Sequence, residues 1–145
     1  MNDMTTTTPR TILVDYDFPC PPEKVWRVLT ESDLIGRWLM PNDFVAKVGH
    51  RFTFHTDPMP NYNFDGIVHC EVLEVDPPKR LRYSWRGGNL DTIVTWTLVA
   101  ANGGTLLKLE QAGFGPENAY AFENMGNGWR RMGTGRLAEV LASLP

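Results

Sequence analysis

Residues 115–144 read GPENAYAFENMGNGWRRMGTGRLAEVLASL. In them Tyr120/Phe122, Met125, Trp129, Met132, Arg136/Leu137, Val140/Leu141 and Leu144 recur three or four residues apart, the spacing of an apolar stripe on a helix. Pro116 suits the first helical position and Glu117 the positive end of the dipole, so the stretch reads as one long helix. Gly126, Gly128, Gly133 and Gly135 interrupt it, each costing about 0.8–1 kcal/mol relative to Ala. Three readings offset that cost: a kink or close backbone packing, a split into two helices near Gly126–Gly128, or room left beside a sheet for a ligand.

A sheet is what precedes it. Residues 11–18 (TILVDYDF) alternate, with Ile12, Val14, Tyr16 and Phe18 on one face and Asp15 and Asp17 on the other, as in a half-buried strand. PCPPEKVWRVLT then breaks the strand, and Pro22 opens a helix with Val25, Trp26, Val28 and Leu29 inward. Ser32 or Asp33 caps a second short helix through Leu34, Ile35 and Trp38, ended by Pro41. From Asp43 the period becomes two. FVAKVGHRFTFH, FDGIVHCEVLEVD, KRLRYSW, TIVTWTLVA and GTLLKLEQAGF read as strands, separated by DPMPN, DPP, RGGN and ANGG. The short turns make them antiparallel.

The expected fold is therefore α+β: about six antiparallel strands, two short helices after the first, and the terminal helix packed on the sheet. Alternation puts Phe52/Phe54, Leu81/Tyr83/Trp85, Val94/Trp96/Leu98 and Leu107/Leu109/Gln111 on the inner face, looking toward Trp129 and Met132. Arg80, Arg82, Arg86, Lys108 and Glu110 go to solvent, with cross-strand pairing to Glu71 or Glu74. One β-bulge between Phe64 and Asp76 is the weak point, since the apolar set moves there from Val68/Cys70/Val72 to Leu73/Val75.

Length and composition limit the function. One domain over residues 11–145, after a flexible tail of residues 1–10, is large enough for a full core. A net charge of −3 argues against a nucleic-acid surface, and no apolar run is long enough to span a membrane or resembles a signal peptide, so the cytoplasm is the expected location. Cys20 and Cys70 form no CxxC and read as reduced, buried thiols. His50, His55 and His69 make no metal set, and neither a phosphate loop nor a hydrolase motif is present. No cofactor is expected.

In their order, PPEKVWRVLT, RW before a proline, EVLEVDPPKRLRYSW, GTLLKLEQAGF and the GW of the terminal helix resemble the START-like helix-grip superfamily. Within it, residues 11–144 most resemble the bacterial branch named for the activator of the heat-shock protein 90 ATPase. Many relatives read WWGP where this chain has Arg37-Trp38-Leu39-Met40-Pro41, and many carry a histidine where Gln111 stands. The resemblance implies a curved sheet wrapped around the terminal helix, with a cavity between them for an apolar or amphipathic small molecule. Its expected lining is Trp26, Trp38, Phe52, Phe54, Tyr83, Trp85, Trp96, Leu109, Gln111, Phe122, Met125, Trp129, Met132 and Gly133, with Tyr16, Asn124 and Arg136 as further polar groups. Three roles follow in order: non-catalytic binding of a hydrophobic molecule; a cyclase or dehydratase using Tyr83 or Gln111 to orient an enolisable carbonyl; and a chaperone partner. The expected assembly is a monomer or homodimer.

Overall fold

The computed structural model describes residues 10–145. The expected tail lies outside the described residues except for Arg10, which begins the first strand. The strands are β1 (Arg10–Phe18), β2 (Arg51–His55), β3 (Ile67–Asp76), β4 (Arg80–Gly87), β5 (Leu90–Ala101) and β6 (Gly104–Phe114). They form one antiparallel sheet in the order β1-β6-β5-β4-β3-β2. Helices α1 (Pro22–Thr30) and α2 (Ser32–Trp38) follow β1, and α3 (Ala119–Met132) and α4 (Arg136–Ser143) end the chain. This is the α+β helix-grip arrangement, with the apolar alternation of each strand turned toward the helices.

The bulge falls where the pattern slips. Val72 pairs with Tyr83 but Glu74 with Arg82, so Leu73 is the extra residue and is exposed on the far side. Because the slip occurs after Val72, the inward set Val68, Cys70 and Val72 stays buried. Asn102 and Gly103 both take positive φ (53° and 79°), closing the tight β5–β6 hairpin. On the outer face Arg80 and Arg82 lie against Glu74, whereas Arg86 pairs with Asp91 and Arg51 with Glu71. These exposed pairs contribute little to stability.

Two local expectations are corrected. FVAKVGHRFTFH is not one strand: residues 44–50 form a turn-rich segment with Gly49 at φ 88°, and only Arg51–His55 pairs with β3. Ser32 does not cap α2. Its hydroxyl donates to the Asn42 side-chain oxygen and backbone carbonyl (2.9 and 3.0 Å), tying down the loop that carries Met40. Cys20 and Cys70 are free.

The terminal stretch is two helices rather than one, and the break is at Gly133–Gly135 instead of Gly126–Gly128. A Cβ on Gly133 would lie 2.6 Å from the Tyr16 ring, and one on Gly135 would lie 2.8 Å from the Arg131 carbonyl oxygen. Gly133 therefore serves close packing, since the space a side chain would take is filled by Tyr16. Gly128 is different: the nearest atom to its virtual Cβ is the tip of Arg131, 3.9 Å away. Gly133→Ala is expected to destabilise by about 1–3 kcal/mol through overpacking. Gly128→Ala is expected to stabilise by about 0.5–1 kcal/mol by restricting the unfolded chain. Urea denaturation of the two variants distinguishes these roles, and equal effects would refute the contact with Tyr16.

Candidate functional site

Between α3 and the sheet lies a packed aromatic layer. Trp129 meets Trp85 and Trp96 edge-on, with ring centroids 5.7 and 5.6 Å apart. Trp38 stands edge-on to Trp96 at 6.0 Å, and Phe44, Phe52, Phe54 and Tyr83 continue the layer. The polar groups inside it satisfy one another. Trp129 Nε1 donates to Gln111 Oε1 (2.9 Å), Gln111 Nε2 donates to Thr92 Oγ1 (3.0 Å), and the Thr92 hydroxyl donates to the Trp85 carbonyl (3.0 Å). Trp96 Nε1 donates to the Tyr83 hydroxyl oxygen (3.0 Å), Trp38 Nε1 to the Val28 carbonyl (2.8 Å), and the Tyr16 hydroxyl to the Trp129 carbonyl (2.6 Å). Burial pushes the Tyr16 and Tyr83 phenols and the Cys70 thiol far up, so all three are neutral near pH 7. A filled layer with its hydrogen bonds closed internally is a core.

The open space is at one end of this layer. A cleft of about 440 Å³ lies between the first turns of α3, the β4–β5 hairpin and the loop joining β2 to β3. Phe64, Val68, Trp85, Leu90, Ala121 and Met125 supply apolar lining, with Met40 entering from the loop after α2. Thr56, Asn61, Asn63, Asn89, Asn118 and Asn124 are uncharged polar lining residues, and Glu117 is the one charged residue among the described lining residues.

Local sequence fixes these walls. Buried Asn118 accepts from the Gly115 N–H (2.9 Å) and donates to the Asn89 carbonyl (3.3 Å), joining the start of α3 to the hairpin turn. The β2–β3 loop folds back on itself: Met59 and Phe64 exchange backbone hydrogen bonds (2.8 and 3.2 Å), and the Thr56 N–H reaches the Gly66 carbonyl (2.9 Å). Gly66 sits at φ 90°, where a Cβ would strike the Thr56 oxygen at 2.5 Å, so only glycine fits this crossing.

Of the residues expected from sequence to line a cavity, Trp85 and Met125 reach this cleft. Trp38, Phe52, Phe54, Tyr83, Trp96, Leu109, Gln111 and Trp129 are buried in the layer behind it. Trp26 and Met132 are half-buried at its margins, Phe122 packs on Phe114 beneath the Arg10 guanidinium, and Gly133 faces Tyr16. Asn124 is at the rim, while Arg136 is exposed on α4. With Tyr83 and Gln111 engaged in the core, neither is presented to a substrate in the cleft. Among the described residues no group of three His, Cys, Asp or Glu side chains could hold a metal ion. No helix among them is long and apolar enough to cross a membrane.

The model of the family described as activator of Hsp90 ATPase homolog 1-like protein matches residues 19–142. The chain belongs to this family. That match begins after β1 and ends one residue short of the end of α4, so it includes all three walls of the cleft. The structure is similar to MLL2253 of Mesorhizobium loti, 38% identical with a TM-score of 0.84, covering 94% of this chain and 99% of that one. It is also similar to BH1534 of Bacillus halodurans, 27% identical with a TM-score of 0.77, covering 94% and 99%. CalU16 of Micromonospora echinospora, at 23% identity and a TM-score of 0.71 over 97% and 84%, shares the fold. No curated protein matches the chain.

Proposed function

We propose that this family member binds a small amphipathic molecule, without covalent chemistry, in the cleft at the start of α3. The observation that carries this reading is the contrast between the closed core and the cleft beside it. The core pairs the Gln111 amide with Thr92 and Trp129 and the Trp38, Trp96 and Trp129 indole N–H groups with acceptors inside the layer, whereas the cleft beside it is open and lined by apolar residues together with asparagines. Its volume of about 440 Å³ lies within the range of small-molecule sites, roughly 300–1,000 Å³. The membership of the family supports the same reading.

Native mass spectrometry of protein purified from its own source, followed by thermal-shift titration, tests it. A ligand at about one hundred times its Kd is expected to stabilise the native state by about 2.7 kcal/mol. Ala121→Trp fills the cleft from α3 and should abolish the shift while the variant keeps a cooperative melt. Met125→Trp, placed one turn further along, is expected to do the same. A shift that survives both substitutions would move binding elsewhere on the protein.

A further inference from the structure

Two tyrosines bridge the mouth of the cleft. Tyr62 belongs to the 3-10 turn Pro60–Tyr62 of the β2–β3 loop, and Tyr120 to the first turn of α3. Their rings stack with centroids 4.3 Å apart and planes 4° from parallel, although they are 47% and 48% exposed. Among the described residues, loop 56–66 and α3 share no hydrogen bond or ion pair, so the mouth is bridged by ring contact.

The backbones carrying the rings are held. A Cβ on Gly88 would lie 3.1 Å from the carbonyl oxygens of Tyr62 and Asn63, so the loop rests directly on the β4–β5 turn. Gly87 likewise lets Phe64 pack against β4, where a Cβ would meet that ring at 3.0 Å. The rings are then the parts free to move, by side-chain rotation that is fast for exposed residues.

We propose that Tyr62 and Tyr120 form an aromatic clamp that selects a planar, uncharged ring system over a flexible chain as occupant of the cleft, an inference that rests on the binding role above. Parting the rings forfeits their mutual stacking. A planar ligand restores it against one or both faces, whereas an alkyl chain does not and also loses rotamer freedom on binding. Behind the clamp, Trp85 and Phe64 present further aromatic surface. Asn61, Asn63, Asn89 and Asn124 among the lining residues suit hydroxyl and carbonyl substituents, since an amide both donates and accepts, and Glu117 disfavours an anionic ligand.

Equilibrium dialysis with flavone, which has no ionisable hydroxyl, and 1-decanol tests this, using the intact chain and the variants Tyr62→Ala, Tyr120→Ala, Tyr62→Phe and Ala121→Trp. Both tyrosines are exposed, so their alanine variants should melt within a few degrees of the parent. Affinity for the flavone is expected to fall about three- to tenfold in each alanine variant, the size of a lost aromatic pair, with decanol changing less than twofold. Tyr62→Phe retains the ring and should retain the affinity. Equal losses for both probes, or an unchanged flavone affinity, would overturn the clamp and leave the cleft as the site. If neither probe binds the intact chain, or Ala121→Trp binds both as before, the binding role falls and the clamp with it.

Discussion

Trp129→Ala is expected to lower the unfolding free energy by about 5 kcal/mol, close to the whole stability of a marginal domain. Truncating a buried indole costs about 3–5 kcal/mol in lost transfer energy and cavity. Here it also orphans Gln111 Oε1, which is fully buried and has Trp129 Nε1 as its donor at 2.9 Å, for about 1–3 kcal/mol more. Milder variants separate the two parts. Trp129→Phe keeps a ring against Trp85 and Trp96 but orphans the amide oxygen, and Gln111→Leu orphans the indole N–H; each should cost about 2 kcal/mol. The double variant removes both partners, so it should cost at least about 1 kcal/mol less than the sum. Additive losses in guanidinium denaturation would mean that the bond does not couple α3 to β6. The coupling matters for the site because Trp129 follows Met125 by one helical turn. This bond and that from the Tyr16 hydroxyl to the Trp129 carbonyl tie α3 to the sheet one turn beyond the residues Tyr120, Ala121 and Met125 that line the cleft.

The sheet was legible because its signal is local. Alternation alone puts Tyr83, Trp85, Trp96 and Gln111 on the face that the structure buries, and the drift of the apolar set from Val72 to Leu73 marks the bulge. The helix break was half legible: four glycines announce a departure from regular helix, but its position is decided by the Tyr16 ring, 117 residues before Gly133 in the chain. The cleft was least legible. DPMPN signals that the chain turns, not that Tyr62 then comes to lie on Tyr120 or that Phe64 packs against Gly87. Its one sequence hint was a pair of aromatics, Tyr62 and Phe64, in a segment otherwise suited to solvent. The inner polar residues were placed on the correct face. Whether Gln111 meets a ligand or Trp129 depends on side-chain reach across two layers, which parity does not encode.

Stability is expected to fall steeply above about pH 9, and the fall should be traceable to three buried groups. Desolvation raises the Cys70 thiol, with Asp43 adding to it. Desolvation also raises the Tyr83 phenol, against a smaller opposing effect of the Trp96 hydrogen bond, and the Tyr16 phenol, against a smaller opposing effect of Arg130. The unfolded chain releases these protons near pH 8.5 for the thiol and near pH 10 for the phenols, whereas the folded chain retains them. The stabilisation is therefore complete below those values and is lost as pH rises toward the folded pKa of each group. Each group contributes a slope of about 1.4 kcal/mol per pH unit, or roughly 4 kcal/mol per unit once all three are engaged above pH 10. Urea unfolding at intervals from pH 7 to 11 measures the slope. Cys70→Ala should remove its share from about pH 9, and Tyr83→Phe its share from about pH 10. Tyr83→Phe also lowers stability at neutral pH by leaving Trp96 Nε1 without its acceptor, but that offset does not depend on pH, so the slope remains diagnostic. A wild-type slope in Tyr83→Phe would mean that solvent reaches the phenol. The burial that keeps Tyr83 protonated also keeps it out of the cleft, so Tyr83→Phe should leave ligand affinity at pH 7 within about twofold of the parent. A much larger loss would return Tyr83 to the binding site and put the core, rather than the cleft, at the centre of function.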